Sequence, residues 1–172
     1  RYNSWVFFHQ FVIMIRFEQV SKIYTGGFQA LHQLSFEIDK GEMIFVAGHS
    51  GAGKSTVLKL ISGIIKPTSG KVWLNQQDLG SMSDKQLGYL RQHIGIVFQD
   101  HKILYDRSVL ENVLLPLRIK GYDRKQAAQR AQVAIKKVGL SGKEHAAPIT
   151  LSGGEQQRLC IARAVVHQPS LL

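Results

Sequence analysis

A single cysteine in 172 residues leaves no internal disulfide and no multi-cysteine metal site. Cys160 lies in an apolar helical stretch and reads as a small core residue. The seven histidines, at 9, 32, 49, 93, 101, 145 and 167, show no His-x-x-x-His spacing and no carboxylate cluster nearby, so no protein-built metal site is expected. Prolines are few, at 4, and a hydrophobic content of 44% excludes a disordered chain; the length suits one domain with its own core. Long apolar runs are missing too. The aromatic and apolar opening (Trp5, Val6, Phe7, Phe8, Phe11, Val12, Ile13) is interrupted by His9 and Gln10 and is too short to span a bilayer. No small-residue cleavage site follows it, which argues against a signal peptide. The first residue is Arg1, whereas Met14 opens an alternating strand pattern, so residues 1–13 read as an extraneous extension, with a membrane anchor as the alternative. Acidic residues are scarce, 12 against 22 basic, and the net charge of +10 suggests an anionic partner: nucleotide, nucleic acid or an acidic membrane surface.

What is present is concentrated at residues 48–56, Gly48-His49-Ser50-Gly51-Ala52-Gly53-Lys54-Ser55-Thr56. They fit the Gly-x-x-x-x-Gly-Lys-Ser/Thr phosphate-binding pattern without a mismatch. Glycines let successive backbone N–H groups turn inward around an anion, and the following helix points its positive end at the same place. Lys54 is placed to reach the β- and γ-phosphates of a nucleotide, Ser55 to ligate a bridging magnesium ion, and Thr56 to add a phosphate contact. The alternative is a glycine-rich turn between a strand and a helix. Met43–Ala47 reads as a buried strand entering the loop and Val57–Ile61 as the helix leaving it.

Elsewhere, Ile15–Ile23 and Leu34–Ile38 alternate as two antiparallel strands around a Gly26-Gly27 break. A turn at Lys66–Gly70 precedes a short strand at Lys71–Leu74, and Ile94–Phe98 reads as another strand, ending in Gln99-Asp100. A polar residue at the end of a buried strand near a phosphate loop is where a ligand-sensing group would sit. Ser108 and Glu111 form a capping box opening one helix. Asp123 caps a second, whose apolar residues (Ala127, Ala131, Ala134, Ile135, Val138) run to Gly139. Its outer face is basic (Arg124, Lys125, Arg130, Lys136, Lys137); a solvated face and a surface toward nucleic acid or membrane both remain open. Leu151-Ser152-Gly153-Gly154-Glu155-Gln156-Gln157-Arg158 leads a last helix ended by Pro169. Ser152 and Glu155 make either a further capping box or, with the two glycines, a second anion site.

Phosphate loop, Gln99 after a strand, and Leu-Ser-Gly-Gly-Glu-Gln-Gln-Arg together resemble the nucleotide-binding domain of ABC-type ATPases. The resemblance covers residues 14–172. It implies an α/β fold of the P-loop NTPase type. An N-terminal antiparallel β subdomain and phosphate-loop core would occupy 14–99, an inserted α-helical subdomain 100–150, and the signature and its helix 151–172. It also implies ATP and Mg2+ as ligands and a homodimer in which Ser152, Gly153 and Gly154 contact, in trans, the nucleotide held by the other protomer. Gln99 would hold the metal and sense Mg-ATP, Lys54 and Gln99 would serve hydrolysis, and Tyr24 would stack on adenine, a core tyrosine being the alternative.

His49 in the loop and the Asp100-His101 pair are similar to the cell-division branch of that family more than to its lipoprotein-export and amino-acid-import branches. That branch implies a peripheral subunit on the cytoplasmic face of the bacterial inner membrane, docked through 100–150 on an integral, four-helix membrane partner. Transport ATPases for lipoproteins, peptides or amino acids are the nearest alternative. A DNA-repair ATPase is disfavoured, because the interval between loop and signature has no room for a coiled-coil arm; no nucleic-acid partner is expected. Ser170-Leu171-Leu172 would begin the strand carrying the Walker B aspartate. That aspartate, the catalytic glutamate after it and the switch histidine are not among these residues. The domain is thus expected to be C-terminally incomplete, a gene fragment that binds ATP without hydrolysing it.

Overall fold

The computed structural model describes residues 14–172. The reading of 1–13 as an extension lies outside them. Two compact units are present, one reaching Gly88 and the other spanning Tyr89–Leu172.

In the first unit, β1 (Ile15–Ile23) and β2 (Gln29–Ile38) pair antiparallel, as the alternation predicts. The buried phase of β1 slips in its middle: Ile15 and Phe17 are buried, then Val20. The cause is a bulge at Gln19, whose φ is 47°, with the register shifting between Phe17 and Val20. Phe17 stacks on its cross-strand neighbour Phe36 with ring centroids 4.4 Å apart. β3 (Ser69–Leu74) pairs antiparallel with the other edge of β1 and β4 (Gln77–Asp78) with β3, giving the order β2-β1-β3-β4. α1 (Lys54–Ile61) buries Val57, Leu60 and Ile61. α2 (Asp84–Arg91) drew no expectation from the sequence; it follows a Ser83–Gln86 box in which the Ser83 N–H donates to Gln86 Oε1 at 2.9 Å.

Two expected strands are not formed. Met43–Ala47 has no ladder partner among the described residues, and its apolar side chains are exposed, Phe45 at 87%. Ile94–Phe98 is reduced to a single parallel bridge between Ile94 and Leu171, with the Gly95 N–H donating to the Leu171 carbonyl at 2.8 Å. The physical reason is shared. A continuous apolar run becomes a parallel strand only when neighbours remote in the chain supply its hydrogen bonds, whereas β1 and β2 carry their partner a short turn away.

The second unit holds three longer helices: α3 (Val109–Ile119), α4 (Arg124–Lys137) and α5 (Gly153–Val165). Their apolar stripes meet in one core, with Val109, Val113 and Leu117 facing Ala127, Ala131 and Ile135 and the Leu159, Cys160 and Ala162 of α5. Both predicted capping boxes are present, at Ser108/Glu111 and Ser152/Glu155. Asp123 caps α4 by accepting from the N–H groups of Lys125 and Gln126. Among the described residues no helix is long and apolar enough to cross a membrane.

Candidate functional site

After β2 the chain turns at Asp39–Glu42, passes through 43–47, and enters α1 by way of residues 48–53. Gly53 is the N-cap, with φ 87°, a left-handed conformation. A Cβ there would also stand 2.6 Å from the Ala30 carbonyl oxygen and 2.7 Å from Leu31 Cδ2, so glycine is required twice over, by conformation and by the close approach to β2. No side chain caps α1 and its first turn has no acidic residue. The helix end therefore keeps its positive character for an external anion, unlike α3, α4 and α5, which cap themselves.

Lys54 Nζ donates to the carbonyls of Gly48 and His49, each at 2.8 Å, which draws its ammonium over the loop. Ser55 is exposed and Thr56 buried. His49 is exposed, with Nδ1 2.7 Å from the Ser50 carbonyl oxygen. Tyr24, half-buried at the end of β1, places its hydroxyl 3.2 Å from the Thr56 hydroxyl, and Lys22 Nζ lies 5.6 Å from its ring centroid. Tyr24, the loop and Thr56 thus gather in one place. The donor set, backbone N–H groups at an uncapped helix start with one ammonium and two hydroxyls, fits a polyphosphate with its cation.

In the second unit, Gln99 is exposed and opens a turn of unusual backbone: His101 and Lys102 have φ of 57° and 46°. Left-handed conformations cost about 1 kcal/mol or more each for residues other than glycine. Lys102 forms an ion pair with Asp100 at 2.6 Å and holds its carboxyl below the usual range. The same turn is met from α5, where Arg163 donates to the carbonyls of His101 and Lys102, each at 2.8 Å, and the Cys160 thiol donates to that of His101 at 3.1 Å. Cys160 is buried, as its apolar surroundings in the sequence predict, and burial pushes its thiol pKa up.

Ser152, Gly153 and Gly154 are exposed at the start of α5. The capping-box reading of this stretch is the one formed: the Ser152 hydroxyl accepts from the Glu155 N–H at 3.4 Å, and Gly153 and Gly154 are exposed beside it. Glu155 also pairs with Lys143, and this ammonium, with the Ser152 N–H, lowers its carboxyl pKa to about 2.

Sequence reasoning missed Asn112 and Arg163. Asn112 is fully buried; its Nδ2 donates to the carbonyls of Leu104, Arg107 and Ser108, and its Oδ1 accepts from the Leu104 N–H. An asparagine and an arginine standing in otherwise apolar helix faces were the available signal.

The family described as ABC transporter matches residues 31–172. The cell division ATP-binding protein FtsE of Escherichia coli K12 is 52% identical over 92% of this chain and 72% of its own length. That of Haemophilus influenzae is 50% identical over 92% of this chain and 73% of its own. Among solved structures, the dimeric, post-hydrolysis ATP-binding cassette MJ0796 bound to ADP and Pi superposes with a TM-score of 0.85, at 34% identity, covering 90% of this chain and 70% of that one.

Proposed function

Because the chain belongs to the ABC transporter family, we propose that it forms the ATP-binding part of an FtsE-like subunit. Working as a homodimer, that subunit uses ATP to drive an integral membrane partner of the FtsX type in bacterial cell division. The observation that carries the nucleotide site is the uncapped start of α1 under a lysine already drawn over the loop. Lys54, the loop backbone of Gly48 to Gly53 and the Thr56 hydroxyl hold the phosphates, and Tyr24 offers its ring to the base. Ser55 and Gln99 hold Mg2+, which when bound offsets phosphate charge. Ser152, Gly153 and Gly154 of each protomer close on the nucleotide of the other. The 52% identity to FtsE supports the cell-division assignment over lipoprotein, peptide or amino-acid transport, and it supports a peripheral position at the cytoplasmic face of the inner membrane.

Calorimetric titration of ATP into the full-length protein tests the site. Binding that weakens about 100-fold in Lys54→Ala is expected; equal binding by the two proteins would sink the proposal. Co-purification with the membrane partner decides between division and transport.

A further inference from the structure

α5 begins at the signature residues Ser152–Gly154 and, further along, reaches the turn that follows Gln99. Arg163 uses both ends of its guanidinium there: Nη2 donates to the His101 carbonyl and Nη1 to that of Lys102, each at 2.8 Å. One turn earlier on the same helix, the Cys160 thiol donates to the same His101 carbonyl at 3.1 Å. The two gripped residues are the ones with left-handed φ, 57° and 46°, a backbone neither side chain favours. Nη1 also lies 3.4 Å from Asn112 Oδ1, so the guanidinium is fixed from α3 as well. Among the described residues no carboxylate forms an ion pair with Arg163. A planar fork spent on two carbonyls of a strained turn orients backbone, which a lysine's single ammonium does less well.

We infer that Arg163 is a positioning residue: through the His101 and Lys102 carbonyls it fixes the turn that carries Gln99, so that displacement of the signature helix α5 and placement of Gln99 are mechanically joined. The inference rests on the proposed role of Gln99 at Mg-ATP. A closing signature would act on α5 at one end, and Arg163 would transmit the shift to the Gln99 turn at the other. Coupling of this kind needs a contiguous physical link, and the two 2.8 Å bonds supply it.

The experiment measures ATP hydrolysis by the full-length protein against Mg2+ concentration, and ATP binding in the absence of metal, for Arg163→Ala, Arg163→Lys, Gln99→Ala and the double variant Gln99→Ala/Arg163→Ala. Arg163→Ala is expected to raise the Mg2+ needed for half-maximal rate about fivefold, with metal-free ATP binding unchanged within about twofold. Arg163→Lys, which keeps charge and stem, gives a smaller rise and carries the test if the alanine variant does not fold. The double variant is expected to match Gln99→Ala alone, since one residue acts through the other. If Gln99→Ala shifts the Mg2+ requirement while both Arg163 variants leave it unchanged, or if the double variant shows the two shifts multiplied, the positioning role is overturned. If Gln99→Ala itself leaves the requirement unchanged, the role of Gln99 fails and the inference fails with it.

Discussion

The Tyr24 hydroxyl lies 3.2 Å from the Thr56 hydroxyl, joining the end of β1 to the first turn of the helix behind the phosphate loop. Thr56 is buried, so the bond does two things: it satisfies a polar group out of water and fixes the ring beside the loop. Tyr24→Phe should cost about 1 kcal/mol in urea unfolding and leave ATP affinity within about twofold, because the ring remains. Tyr24→Ala should weaken ATP binding about tenfold if the ring stacks on the base. Equal affinities for all three proteins would make Tyr24 a purely structural residue.

Gly53 and Lys54 are neighbours with opposite roles. Gly53→Ala puts a Cβ 2.6 Å from the Ala30 carbonyl oxygen at a φ of 87°, so it should destabilise the first unit by about 2 kcal/mol or more. Lys54→Ala removes a side chain bonded only to exposed loop carbonyls. Its unfolding free energy should stay within about 0.5 kcal/mol of the parent while ATP binding weakens about 100-fold. Denaturant midpoints and ATP titrations on the same preparations separate the two effects.

Glu155 gives the signature helix an acid limit. Its carboxyl pKa is lowered from 4.5 to about 2 in the folded chain, first by Lys143 and then by the Ser152 N–H. A group depressed on folding contributes stability above its unfolded pKa, and that contribution is lost as pH falls through the folded value. Thermal midpoints should therefore drop between pH 4.5 and about 2, and Glu155→Gln should remove this part of the slope. An identical acid limb in Glu155→Gln would show that other carboxylates set it.

Asn112 holds the loop after the Gln99 turn from inside the helical unit. Asn112→Ala leaves the carbonyls of Leu104, Arg107 and Ser108 and the Leu104 N–H without their partner, a loss of about 3 kcal/mol. Asn112→Asp should be no milder, because a carboxylate cannot donate to three carbonyls. Chemical denaturation checks both, and a mild aspartate variant would contradict the hydrogen-bond assignment.

The parts written most plainly in the sequence are those set by local chemistry. Ser108 and Glu111, Ser152 and Glu155, and Asp123 each form the cap their residue types predict, because a cap needs only side chains within one helical turn. The pairing of β1 with β2 was legible for a similar reason, the partner being the next strand along the chain. The glycine-rich entry to α1 was legible because a left-handed turn at the helix start, φ 87° at Gly53, is one that glycine adopts freely.

What the sequence determined by itself is therefore a set of local commitments: an uncapped helix start at Gly53-Lys54-Ser55, capped helices, and a signature whose combination with the loop identifies a family. Tertiary structure alone decided which apolar runs became strands. Met43–Ala47 and Ile94–Phe98 look alike in composition, yet the first has no ladder partner among the described residues and the second only the bridge to Leu171. It alone also decided that Arg163 and Cys160, some sixty residues after His101, grip that residue's carbonyl. The reason is that such contacts are fixed by packing between distant segments, where no spacing rule operates, whereas caps and loops are closed by neighbours along the chain.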